Sequence, residues 1–478
     1  MKKVLSVMLS VLMLSCMLVL CSQVSIAEGI TYSTENATIL TFGESEITTV
    51  QKGSGKFEAE GTALSIKKEG TYIVSGSCSD GSIVVKKGTT DVILVLAGLT
   101  LESKTTAPLT CNKSSSATIV AAEGTVNTLT DNVQNNDDVY TDNSDAENAV
   151  IKCKDGSKIT LDGTGTLNIN SNGKNGIKSG CTTEDEGEAY LKIRNLTLNI
   201  TATVNDGINA EQLLEIESGN ITVDANDDGI HCDLVMNIGK TGEDTSPVID
   251  VKNSYEGIEA ATLNIYGGDI SVHSSDDGMN AANSDLTDYD FSLNIAGGKV
   301  YVNAEDGDGI DSNGTLTISG GNVMVFSSAR GDNAPLDSDK KLTISGGTVL
   351  AVGNSRMAQT PQNSQAYVEF GSSSLGGGMY GGPRGGFGGD DSTYTINAGD
   401  TIAIKNSDGE TLIEAVSPRN ANYVLYSAAG VSADNTSLYV NGQISEGSNG
   451  SSSSFLSKII SFFNKIFDFF KRIFHISK

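Results

Sequence analysis

Five short turns constrain the fold more than any other feature of this chain. "VNDGINA", "NDDGIHC", "SYEGIEA", "SSDDGMNA" and "DGDGIDS" each set an acidic residue, then a glycine, then Ile or Met. A second phrase recurs between them: an apolar strand, a Gly-Gly or Ser-Gly turn and another apolar strand, as in "LEIESGNITV", "LNIYGGDISV", "LNIAGGKVYV", "LTISGGNVMV" and "LTISGGTVLAV". Leu, Ile and Val alternate with Asn, Thr and Ser at the period of two that a half-buried strand requires, which excludes helix.

Aligned on Gly176, Gly207, Gly229, Gly257, Gly278 and Gly309, the repeats are spaced by 31, 22, 28, 21 and 31 residues. A minimum near 21 residues, with loops absorbing the longer intervals, fits one coil of three short strands and three turns. The fold class expected is therefore all-β, a solenoid of three-strand coils forming a parallel β-helix. The general handedness of parallel crossovers makes it right-handed. Ile177, Ile208, Ile230, Ile258, Met279 and Ile310 form an inward column in this alignment. Ser179, Ala210, Cys232, Ala260, Ala281 and Ser312, with Cys153, form a second inward column of small residues, so Cys153 and Cys232 read as core.

The residue before each glycine is Asn175, Asp206, Asp228, Glu256, Asp277 or Asp308. Neighbouring repeats of a parallel ladder lie roughly 4.8 Å apart. Each adjacent carboxylate pair then costs about 1 kcal/mol in water and about 3 to 4 kcal/mol at an effective dielectric of 20. Two accounts relieve the repulsion. In the first, Asp-Gly is a good turn and each carboxylate accepts backbone N–H bonds or faces water. In the second, calcium sits between the coils, because hard oxygen ligands in flexible loops suit it. A turn requirement explains one Asp per coil but not the doubled acids, and the second account is adopted. Its metal-ligand candidates are Asp206, Asp227, Asp228, Glu256, Asp276, Asp277, Asp306 and Asp308. Asn209, His231, Glu259, Asn280 and Asp311, just after the Ile column, point outward and join Arg330 as candidates for facing a carbohydrate. His231 alone reads as a solvated surface residue, and "RGD" at residues 330–332 as the next coil's turn.

Composition narrows the partners. The 478-residue chain has a formal net charge of −27, which argues against nucleic acid and, without intervening cations, against any anionic polymer. Its 54 glycines and absence of Trp point away from a helical enzyme. Residues 1–27 read as a signal peptide, with Lys2 and Lys3 before an apolar run and "SIA" before Glu28; cleavage before Cys16 as a lipoprotein is the alternative. Five cysteines remain after that cut, an odd number without CxxC, which fits neither a full disulfide framework nor a cysteine-built zinc site.

Through "GTYIVSGSCSDGSIVV", "VILVLAGLTL", "SDAENAVIKCKDGSKITLDGTGTLNINSNGKNGIKS", the NDGI repeats and "GGGMYGGPRGGFGGDD", the chain resembles a bacterial secreted carbohydrate-binding domain family with a pectate-lyase-like right-handed parallel β-helix. The resemblance spans roughly residues 45–430. It implies a calcium-bearing fold that binds polysaccharide, acidic pectic chains or cellulose, without turnover. Calcium on the acidic edge would turn the repulsion of a uronate chain into a site. No residue is assigned a catalytic role. The rival enzyme is a calcium-dependent lyase, which needs a base beside the metal, Arg330 or more weakly Lys178. A hydrolase would use paired acids, but the Gly-His-Gly and Arg-Ile-Lys elements of pectin hydrolases are absent. A structural stalk or adhesin is the third class.

The remaining organisation follows composition. Residues 28–145 form an N-terminal cap and first coils, 146–355 the repeats, 356–392 a Gly-rich loop, 393–442 a C-terminal β cap and 443–454 a Ser/Gly linker. Residues 455–478 pair Phe, Ile and Leu at helical spacing against Lys458, Lys465, Lys471, Arg472 and Lys478. Such a helix lies in an anionic membrane surface, or self-associates, and is too interrupted to span.

Overall fold

The alternating segments fold as strands, and no helix occurs among the described residues. The computed structural model describes residues 32–180, 189–241, 247–329, 331–371 and 395–445. The signal segment, residues 372–392 of the expected Gly-rich loop and the basic segment at 455–478 lie outside them, whereas the first part of that loop, expected at 356–392, contains the strand Tyr367–Phe370. Two units are distinguished, Met1–Val272 with Ala281–Asp290, and His273–Asn280 with Phe291–Lys478.

In the first unit the strands pair in three parallel ladders. One runs through Thr38–Phe42, Gly70–Cys78, Val92–Glu102, Val126–Thr130, Thr166–Ser171, Thr197–Ala202, Asn220–Ala225 and Val248–Asn253. A second leaves Val92–Glu102 for Ser116–Ala121, Lys158–Gly163, Tyr190–Ile193, Leu213–Ile216 and Ile230–Ile238. The third, which carries the acidic turns, runs through Leu109–Cys111, Ala149–Cys153, Asn175–Ser179, Ile208–Ala210, Ile230–Ile238 and Ile258–Ile265. Three successive strands thus make one repeat, because all-parallel pairing needs a connection that returns the chain to the same end of its neighbour.

Register places Ile151, Ile177, Ile208, Ile230 and Ile258 in one column and Cys111, Cys153, Ser179, Ala210, Cys232 and Ala260 in another. Both columns are buried, and Cys111, Cys153 and Cys232 are free thiols within them. The branched column fills the interior while the small one lets the turns close over it.

The turn glycines are needed for a reason the sequence pattern conceals. None of Gly176, Gly207, Gly229, Gly278 and Gly309 adopts positive φ. A Cβ on Gly207 would lie 2.6 Å from the Gly229 carbonyl oxygen, and one on Gly229 would lie 2.6 Å from that of Gly257 and 2.6 Å from Val251 Cγ1. Close backbone approach between repeats, not left-handed geometry, selects glycine. Gly229→Ala is expected to cost about 1 to 3 kcal/mol by overpacking. A lowered urea midpoint would show it; an unchanged midpoint would mean that neighbouring repeats separate freely.

In the second unit, Ser292–Ile295, Thr315–Ile318 and Lys341–Ile344 form one parallel ladder, and Lys299–Ala304, Asn322–Phe326 and Thr348–Gly353 another. Tyr423–Ser427 then pairs antiparallel with Thr348–Gly353 and Tyr367–Phe370. A separate antiparallel sheet of Thr411–Val416, Thr401–Asn406, Thr436–Val440 and Gln443–Ile444 follows. Phe326, Val352, Phe370, Ile402, Val424 and Leu438 share one core with it, so the last ladder strands do not end as an open apolar edge.

Candidate functional site

The ladder carries the acidic column by its backbone. Gly176 N–H donates to the Asp206 carbonyl, Gly207 N–H to that of Asp228 and Gly229 N–H to that of Glu256, each at 2.9 Å. In the second unit Gly278 N–H donates to Asp308 and Gly309 N–H to Ala334, also at 2.9 Å. The turn after Asp308 is therefore Ala334-Pro335-Leu336, with Leu336 bridged to Ile310. This corrects the placement of that turn at "RGD": Pro335 occupies the glycine position, which hides the repeat from an alignment on glycine. Arg330 lies outside the described residues.

Part of the acid column is satisfied by the protein itself. Asp206 Oδ1 accepts the Asp228 amide at 3.2 Å, Asp277 Oδ1 accepts the Asp308 amide at 2.7 Å, and Asp308 Oδ1 accepts the Ala334 amide. Each of these carboxylates caps the turn of the following repeat, as the turn account of Asp-Gly expects.

In the first unit, oxygens of Asp206, Asp227 and Asp228 lie within 4.8 Å of one another, and so do ligand atoms of Asp228, His231 and Glu259. His231 is not a solvated surface residue. Its Nδ1 lies 3.0 Å from Asp228 and 3.4 Å from Glu259, and its Nε2 lies 2.9 Å from Asp233. Burial opposes the charged ring, but hydrogen bonds to Asp228 and Asp233 and the fields of Glu259 and Asp228 outweigh it and raise His231 to about 11. An imidazolium with both N–H groups donating is thus the resident cation here. Glu259 is pushed up to about 9 by burial first and then by Glu256, to which it is hydrogen-bonded. Asp206 is raised to about 6, by burial and then Asp228, against the hydrogen bond from Asn209.

The second unit differs. Oxygens of Asp277, Asp308 and Asp311 lie within 4.8 Å of one another, with no histidine in the group. Burial first, then the charges of Asp277, Asp311 and Asp337, raise Asp308 to about 8 against the Ala334 hydrogen bond. An all-oxygen set whose members disfavour each other's charge fits a hard divalent cation. The histidine-containing group already holds its own positive charge.

Several candidates fall elsewhere. Glu256, Asp276 and Asp306 join none of the three groups found among the described residues, and Asp306 is exposed. Asp311 stands with the metal candidates and not on a separate sugar-facing surface. Asn280, expected to face outward, is 7% exposed because both sides of Met279–Ala281 are covered. Asn209 is half-buried and tied to Asp206 and Lys178. Two contributors were missed: Asp233, two residues from His231 on the same strand face, and Asp337, beyond the proline-containing turn.

A carbohydrate-binding domain-containing protein of Acetivibrio thermocellus is 35% identical over 115 residues, which is 24% of this chain and 39% of the relative, so the match spans well under half of that protein. A solved polysaccharide lyase-like protein from C. thermocellum is similar at 24% identity, over 59% of this chain and 96% of that one, with a TM-score of 0.38. The family described as carbohydrate-binding domain-containing protein matches residues 60–352, more than half of the chain and nearly all of the parallel ladders. The chain belongs to that carbohydrate-binding family.

Proposed function

We propose that the ladders wind as a right-handed parallel β-helix, and that the protein is an exported, calcium-bearing module that binds acidic polysaccharide of the pectic type without turning it over. The observation that carries this reading is the Asp277, Asp308 and Asp311 group, three oxygens drawn together where burial and mutual repulsion raise Asp308 to about 8. These three residues would hold the ion. Bound calcium supplies positive charge and open coordination positions to a uronate carboxylate. The Ala334 amide and the Asp308 amide orient the carboxylates of Asp308 and Asp277 beforehand.

A lyase would take its base from Arg330, which lies outside the described residues, or more weakly from Lys178. Lys178 Nζ donates to Asn209 Oδ1 at 2.8 Å and lies 3.5 Å from Glu211, so its contacts are made within the protein. Export is read from residues 1–27, and retention at the cell surface from the basic apolar segment at 455–478.

Affinity electrophoresis through polygalacturonate tests the reading. The mature protein is expected to be retarded with calcium present, with no rise in the absorbance of unsaturated product. Product would make it a lyase, and mobility unchanged in both polygalacturonate and cellulose gels would leave a structural stalk.

A further inference from the structure

The outward row of the third ladder is cationic where its turn is acidic. Register aligns Thr110, Lys152, Lys178, Asn209, His231 and Glu259 as successive members of one row, all in the first unit. Lys152 and Lys178 are direct neighbours in it, at the ladder spacing of roughly 4.8 Å. Two like charges at that distance, on side chains that are both half-buried, repel unless an anion is shared between them.

Among the described residues that anion is supplied to Lys178 and not to Lys152. Lys178 has Asn209 and Glu211; Lys154 has Glu147 at 2.6 Å; Lys174 has Asp138. Among the described residues no side chain accepts a hydrogen bond from Lys152 or forms an ion pair with it. Glu147 and Glu211, the acids nearest in effect, are engaged with Lys154 and Lys178 and reach Lys152 only through space. Burial first, and then the Lys178 charge, hold the Lys152 ammonium below the ordinary lysine range. A partly covered ammonium on an outward sheet face, beside a second one whose own partners are already placed, is a receptor for an external anion.

We infer that Lys152, with Lys178 beside it, is a subsite for the carboxylate of a uronic acid unit in a polysaccharide lying along this row. The inference rests on the acidic-polysaccharide reading above and adds to it a direct contact that reinforces the calcium bridge and does not retain the chain without it. The chain would lie along the row with its carboxylate on Lys152; Thr110, at the start of the row, is buried and lies outside the subsite.

The test is affinity electrophoresis of the full mature chain with calcium present throughout, in gels of polygalacturonate, of its fully methyl-esterified form and of a neutral cellulose derivative. Lys152→Gln is expected to weaken retention by polygalacturonate about tenfold or more, the loss of one charge-assisted hydrogen bond. Lys152→Arg should retain binding. Lys52→Gln, the same charge change at an exposed position elsewhere, should leave it unaltered. In the esterified and neutral gels Lys152→Gln should migrate as the parent does. Its thermal midpoint should be equal or higher, since a like-charge contact is removed, whereas a structural role would lower it. If the parent is retained by polygalacturonate and Lys152→Gln is retained equally, the subsite is wrong and the reading stands. If the parent is not retained at all, both are overturned.

Discussion

Calcium at one hundred times its dissociation constant is expected to stabilise the protein by about 2.7 kcal/mol at pH 8, and by much less at pH 5. The pH dependence comes from Asp308, raised to about 8 from a usual 3.8 by burial and by Asp277, Asp311 and Asp337. An acid whose folded value lies above its unfolded one contributes stability that is fully present below about 4. That contribution is lost as pH rises through 8. Without a cation, the second unit should therefore weaken across that window. Calcium takes the place of the departing proton, so its affinity should rise over the same range. Asp308→Asn keeps an oxygen for the Ala334 amide and removes the charge, and is expected to abolish both the calcium shift and the pH slope. Thermal melts with calcium or chelator at the two pH values measure this. An equal calcium shift in Asp308→Asn would move the ion to another group.

Replacing His231 should be costly for a different reason. His231→Gln leaves Asp228 and Asp233 without the positive charge now held at 3.0 and 2.9 Å, and breaking such a partly buried pair costs on the order of 3 to 5 kcal/mol. With His231 raised to about 11 from 6.5, its contribution is fully present below 6.5 and is lost as pH rises toward 11. Denaturant unfolding of both proteins at pH 6, 8 and 10 should show a gap that narrows steadily with pH. The imidazole proton resonances should indicate a ring still charged at pH 8. A ring neutral at pH 7 would contradict this and make His231 available as a metal ligand with Asp228 and Glu259.

The Ile column and the small-residue column were legible because a strand period of two and a fixed offset from each glycine determine which side chains face inward. The same spacing located the acids. It did not reveal why glycine is required, since a turn residue and a residue pressed against the next repeat's carbonyl look alike in sequence. Nor did it reveal the cation at His231, although Asp233 lies at i+2 and hence on the same strand face. Asp337 escaped because Ala334 and Pro335 stand where Asn, Asp or Glu followed by Gly had marked every earlier turn. Lys152 was within reach, since Cys153 already stood in the small-residue column, but the outward row was followed only from Asn209 onward; the pairing of Ala149–Cys153 with Asn175–Ser179 sets it beside Lys178. Asn280 was misplaced because alternation indicates which side a residue faces, not whether something covers that side.

The central claim is that the repeated acidic turn is a metal-bearing edge through which an acidic polysaccharide is bound. Retention of the mature protein by polygalacturonate, measured with chelator and again after calcium is restored, tests it most directly. The account expects retention to vanish with chelator, to return with calcium, and to be absent in Asp308→Asn at either setting. Retention that persists undiminished in chelator and in Asp308→Asn would contradict it.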